Sequence, residues 1–140
     1  MIIAVDFDGT IVEHNYPKIG KPIPFAIDVL KRLQVEQHHQ LILWSVREGE
    51  LLDEAVEYCA KQGLEFYAVN KNYPEEELDS NCPRKLNADL FIDDRNIGGL
   101  PDWGTIYQAI KNKKQDQPLT DLTPEEYKSK KKRGFFSFGK

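Results

Sequence analysis

The chain reads as an α/β protein, a doubly wound parallel sheet in a three-layer α/β/α sandwich. Three observations predict it. Short apolar runs of β-prone residues alternate with amphipathic stretches of helical spacing between residues 1 and 111. Those runs lack the in-out alternation of half-solvated strands, as expected when a parallel sheet is covered on both faces. At 140 residues, with 40% hydrophobic and 30% charged, the chain is long enough for one domain with one sizeable core.

The elements follow in order. Ile2–Asp6 is a first strand of apolar, β-prone residues. After a polar loop with Gly20, Pro22 and Pro24, residues Phe25 to Gln37 place Phe25, Ile27, Val29, Leu30 and Leu33 at mostly helical spacing. Pro24 suits the start of that helix. Leu41–Ser45, "LILWS", is a second strand. The stretch from Glu48 to Gly63 is an amphipathic helix with Leu51, Leu52, Ala55, Val56 and Cys59 on one face and Gly63 as its stop. Phe66–Val69 forms a third strand, Asn70–Pro83 a polar loop and Ala88–Asp93 a fourth strand. Asp102 caps a last helix, Trp103–Lys111, whose apolar side is Trp103, Ile106, Tyr107 and Ile110. The chain turns polar from about Gln115, giving a core over 1–114 and an appended tail over 115–140.

The net charge of −4 hides an asymmetry. Residues 128–140 carry six Lys/Arg and no acid; removing those six from 19 leaves 13 basic against 23 acidic residues in the body. An acidic body argues against nucleic-acid binding by the whole domain. The tail, with Phe135, Phe136 and Phe138 beside its lysines, has two readings. It is a flexible or self-packing end, or a segment touching an anionic membrane or nucleic acid. Cys59 and Cys82 show no metal-ligand spacing and need not pair, which suits a reduced compartment. With no membrane-length apolar run and no signal-peptide pattern, a cytoplasmic location is expected.

The chemistry collects where strands end. Asp6 and Asp8 close the first strand; continued as a strand, it sets both side chains on one side. Two carboxylates so placed repel unless a cation or a proton intervenes. Ser45 and Arg47 follow the second strand, Asn70 and Lys71 the third, Asp93, Asp94 and Arg95 the fourth. In a parallel sheet these ends share one rim, the place where open α/β sheets bind ligands. Several carboxylates with a main-chain carbonyl make a hard oxygen site suited to Mg2+. A carboxylate can attack phosphorus, and a second can transfer protons. A serine hydroxyl and a lysine can hold phosphoryl oxygens. Arg47 and Asn70, on the same rim, are candidates to touch substrate.

The residues so assembled resemble the haloacid dehalogenase (HAD) superfamily. "DFDGT" (Asp6–Thr10) is similar to its first motif, Ser45 to its second, Lys85 to the lysine of its third and "IDDR" (Ile92–Arg95) to its acidic fourth. The resemblance covers about Met1 to Lys111 and implies a Rossmann-like core. It implies that Asp6 is nucleophile and Mg2+ ligand, and that Asp8 is general acid/base and gives its main-chain carbonyl to the metal. Ser45 and Lys85 would hold the phosphoryl group, with Lys71 the rival lysine. Asp93 and Asp94 would complete the metal site, Asp93 favoured as the direct ligand. An aspartate at position 8 points to phosphate chemistry and away from dehalogenation. The short connections after Asp8 and after Asn70 resemble those of members without a cap domain, whose open sites suit large substrates or a lid lent by another copy in a homo-oligomer. The expected function is Mg2+-dependent phosphomonoester hydrolysis. A phosphotransferase, or a non-catalytic module binding a phosphorylated ligand, are the alternatives.

Overall fold

The structure is a computed structural model and describes residues 1–113 and Leu119. The expected boundary after residue 114, and the basic tail with its expected contacts, lie outside the described residues. Elements run in the order β1 (Ile2–Val5), α1 (Ala26–Val35), β2 (Gln40–Leu43), α2 (Gly49–Lys61), β3 (Ala68–Val69), β4 (Leu90–Ile92) and α3 (Trp103–Lys111). The four strands form one all-parallel sheet in the order β3-β2-β1-β4. This is the α/β, Rossmann-like arrangement that the alternation of apolar runs predicts.

Two compact units divide the chain, Met1–Leu100 and a second beginning at Pro101. In the first, the sheet is buried on both faces because its strands carry apolar side chains on both. Ile3, Val5, Leu41 and Leu43 are fully buried on one side of the pleat. Each such side chain stabilises the fold by roughly 1.5–3 kcal/mol. Ala4, Ile42 and Ala68 point the other way and pack with Leu86, a residue of the connection between β3 and β4. Trp44 and Phe91 join that side, their ring centroids 5.0 Å apart. The β3–β4 connection therefore reaches the sheet as irregular chain, without a helix of its own.

Helix α1 buries Ala26, Ile27, Val29, Leu30 and Leu33. Phe25, expected on that apolar side, is 70% exposed. It serves instead as N-cap residue in a left-handed conformation, φ 67°, so its side chain leaves the helix face. Helix α2 buries Ala55 and Cys59, while Leu51, Leu52 and Val56 are half-buried. Burial pushes the Cys59 thiol up to about 12, which makes it a packing residue and not a nucleophile. In the second unit, α3 starts where expected. The Asp102 carboxylate accepts the Thr105 N–H at 3.0 Å and the Thr105 hydroxyl at 2.6 Å.

β1, β2 and β4 end sooner than their apolar runs suggest, while β3 ends at Val69 as expected, and the reason bears on the site. At its C-terminal end each strand leaves the ladder, so that the next residues turn their side chains to the sheet edge. Parallel register sets the level of that edge: Val5 is paired with both Leu43 and Ile92, and Leu43 with Val69. The residues after β1, β2 and β3 then still bond the neighbouring strand. Asp6 N–H donates to Ile92 O (3.0 Å), Trp44 N–H to Val5 O (2.9 Å) and Asn70 N–H to Leu43 O (2.8 Å).

Candidate functional site

One row of backbone bonds thus brings the ends of four strands to a common edge, and the polar residues that follow them meet there. The carboxylates of Asp6, Asp93 and Asp94 each present an oxygen, all within 4.8 Å of one another. Oxygens around one octahedral Mg2+ sit roughly 3–4 Å apart, so this spacing suits a shared hard cation. All three side chains are half-buried. The Asp6 carboxyl is pushed up to about 7, first by burial and then by the charges of Asp93 and Asp94, against a lowering backbone bond at Phe7.

Two neighbours hold the triad. Thr10 is fully buried, and its hydroxyl oxygen lies 3.4 Å from both Asp6 Oδ2 and Asp94 Oδ1 while accepting the Asp94 N–H at 3.1 Å. It links the first strand end to the fourth. Sequence reasoning gave Thr10 no role; its place in the "DGT" run was the available signal. Gly9, at φ +83°, lies so close to Asp94 that a Cβ would collide with the carboxylate. The glycine is required both for the turn and for this approach.

Asp8 departs from the expectation that it crowds Asp6. β1 ends at Val5, and the Phe7 carbonyl accepts the N–H groups of Thr10, Ile11 and Val12 within a tight turn. Strand alternation therefore does not carry through to residue 8, and it is Asp93 and Asp94 that press on Asp6. Both Asp8 oxygens are taken by Arg47: Nε donates to Oδ2 and Nη2 to Oδ1, each at 2.7 Å. The two side chains are 7% and 0% exposed.

Arg47, expected to reach substrate from the rim, lies inside. Its remaining donors go to main-chain carbonyls: Nη1 to Pro17 (3.0 Å) and Leu51 (3.3 Å), Nη2 to Lys18 (3.1 Å). All five N–H groups of the guanidinium are thereby placed. Its carbon also lies 5.2 Å from the ring centroids of Phe7 and Tyr16. The Asp8 carboxylate beside it raises the guanidinium above its ordinary range. The loop that supplies two of those carbonyls is folded back on itself by bonds from Glu13 N–H to Lys21 O (2.7 Å) and Ile23 N–H to Ile11 O (3.0 Å).

Ser45 is half-buried and fixed from two sides. Its hydroxyl oxygen accepts the Arg47 N–H at 3.1 Å, which leaves the O–H free to donate. Asn70, the other candidate for substrate contact, spends its side-chain amide on the Ser45 backbone. Its Oδ1 accepts the Ser45 N–H (2.8 Å) and its Nδ2 donates to the Ser45 carbonyl (3.0 Å). Asn70 adopts a left-handed φ of 53°, which asparagine tolerates better than most residues.

Lys85 is exposed, its ammonium 5.4 Å from the Phe91 ring centroid. Lys71 is half-buried. The Asn72 side chain accepts the Asn87 N–H at 2.7 Å, drawing together the loop ends that carry both lysines. On β4's side, the Asp93 carboxylate accepts the Arg95 N–H (3.0 Å), and Arg95 Nη2 lies 3.1 Å from His14 Nε2. Arg95 thus meets a histidine from the loop after β1.

Among known proteins, no family model matches the chain, and no curated protein does. A solved structure, described as that of a conserved protein coded by a locus of Bacteroides thetaiotaomicron, is 69% identical with a TM-score of 0.76. The match covers 82% of this chain and 93% of that one. The chain therefore belongs to the same family as that conserved protein. No helix among the described residues is long and apolar enough to cross a membrane.

Proposed function

We propose that this protein is a Mg2+-dependent phosphomonoester hydrolase of the haloacid dehalogenase type, working through an aspartyl-phosphate on Asp6. The observation that carries this reading is the meeting of Asp6, Asp93 and Asp94 from two strand ends at one edge of a parallel sheet. An all-oxygen donor set of three carboxylates suits Mg2+, with the Asp8 main-chain carbonyl as a further candidate ligand. When bound, the ion offsets the carboxylate charge and that of the phosphoryl oxygens.

The chain's own residues then divide the work. Asp6 attacks phosphorus, forming a carboxylate–phosphorus bond as the ester oxygen leaves with its electron pair. Ser45 donates its free O–H to a phosphoryl oxygen, held in place by Asn70 and the Arg47 N–H. A loop lysine, Lys85 or Lys71, adds positive charge to the same group. Water attacks the aspartyl-phosphate in the second step, with Asp8 as the proton acceptor. Phosphate-ester hydrolysis in water is among the slowest reactions enzymes accelerate, and a fixed array of charges is what it demands.

One observation favours the rival reading of a phospho-ligand-binding module: Asp8 is committed to Arg47 and not turned toward the triad. Turnover separates the two. Phosphate release from a broad panel of phosphorylated metabolites with Mg2+ is expected from the wild-type protein and not from Asp6→Asn. Absence of release across the panel would refute the hydrolase reading.

A further inference from the structure

We infer that the substrate carries a second anionic group, a carboxylate or a further phosphate, which Arg95 binds at the solvent lip of the site. The inference rests on the hydrolase reading and names a substrate class for it. It comes from the contact between two loops, where Arg95 Nη2 lies 3.1 Å from His14 Nε2.

The same two stretches of chain are already joined deeper in, by Thr10 and Asp94. That inner rung is half-buried beside Asp6. Arg95 and His14 form an outer rung, one residue past Asp94 and four past Thr10, with both side chains exposed. The guanidinium is thereby set next to the carboxylate triad, on its solvent side. Its backbone is fixed there as well. The Asp93 carboxylate accepts the Arg95 N–H at 3.0 Å, and Asn96 Nδ2 donates to the Asp93 carbonyl at 2.8 Å.

Arg95 directly follows two aspartates, in a body with 23 acids against 13 bases. Among the described residues, no carboxylate nevertheless pairs with its side chain. His14 holds the head instead. That bond uses one of the five N–H donors of a guanidinium, and the others have no partner among the described residues. Adjacent N–H groups left over in this way form a fork that matches two oxygens of a carboxylate or phosphate. Arg47 offers no such fork, since its donors go to Asp8 and to main-chain carbonyls. Ser45, the hydroxyl donor for the reacting phosphoryl group, follows β2, whereas Arg95 follows β4. The strand order β3-β2-β1-β4 sets the two on opposite sides of Asp6. Arg95 therefore serves a different part of the substrate.

The test uses the full-length protein with Mg2+ in excess and compares kcat/KM within matched pairs. The meta- and para-carboxyphenyl phosphates are set against their carboxamides, and fructose 1,6-bisphosphate against fructose 6-phosphate. The aryl pairs report a carboxylate and the sugar pair a second phosphate. A hydrogen bond to a charged group is worth about tenfold, so the anionic member is expected to win by roughly that factor in at least one pair. Arg95→Gln should bring that ratio close to one. Arg95→Lys should keep only part of it, having the charge without the fork. Each ratio is internal to one protein, so a loss of folded material cancels. No preference for the anionic member in any pair, or a preference that survives Arg95→Gln, would overturn the inference and leave the hydrolase reading standing. No phosphate release from any substrate would remove both.

Discussion

Asp8 and Arg47 face each other through two parallel 2.7 Å bonds, in a place where the arginine has no solvent exposure at all. The pair ties the turn after β1 to the segment after β2. Through the Pro17 and Lys18 carbonyls it also anchors the loop between β1 and α1. Charge of both signs is taken out of water here, and only complete hydrogen bonding makes that tolerable.

Arg47→Met should therefore destabilise the protein by about 3–5 kcal/mol, because it strands the Asp8 carboxylate. Arg47→Lys should recover only part of this, since an ammonium keeps the charge but not the planar fork. Urea unfolding measures both. A loss below about 1 kcal/mol for Arg47→Met, the size of a surface pair, would mean the contact is not the buried clamp described.

Gly9→Ala places a methyl against the Asp94 carboxylate and a side chain at φ +83°. A strained position of this kind costs of order 1–3 kcal/mol. More telling, Asp94 must move, so Mg2+ affinity by calorimetric titration should fall along with stability. Unchanged affinity would show that Asp94 is not needed to bind the ion.

Asn70→Gly keeps the left-handed backbone accessible while deleting the amide that holds Ser45. Two lost bonds predict destabilisation of about 1–3 kcal/mol. Phosphate release should show a raised KM, since Ser45 loses its fixed position. A variant equal to wild type in both would leave Ser45 positioned by Arg47 alone.

The raised Asp6 carboxyl makes a pH prediction. In the folded protein, burial and the neighbouring carboxylates push it up to about 7, against 3.8 for the free group. Between those values the folded state holds a proton that the unfolded state has released. Its contribution to stability is thus present below 3.8 and is lost as pH rises through 7. Mg2+ needs the ionised form and displaces that proton. The rise in melting temperature on adding Mg2+ should grow as pH is raised through the Asp6 value. A shift independent of pH would contradict a cation bound at Asp6.

Much of this architecture was legible in the sequence, for definable reasons. Strand existence follows from apolar runs, and parallel register then forces Asp6, Ser45, Asn70 and Asp93 toward one edge whatever the loops do. Asp102 was readable as a cap because its bond to Thr105 is local. What escaped were pairings across long separations. Nothing in residues 6–10 shows that Asp8 turns to a partner 39 positions away, or that Asn70 serves the Ser45 backbone. Arg47 looked like a rim residue because a charge two places past a strand is usually solvated. Its burial depends on carbonyls from a loop whose path no periodicity encodes.

The residue that receives the phosphoryl group separates Asp6 from every other nucleophile. The protein, turning over p-nitrophenyl phosphate with Mg2+, can be quenched in acid and its peptides mapped by mass spectrometry. One phosphoryl group is expected on Asp6, absent when Mg2+ is removed. Turnover with the group on any other residue would contradict it.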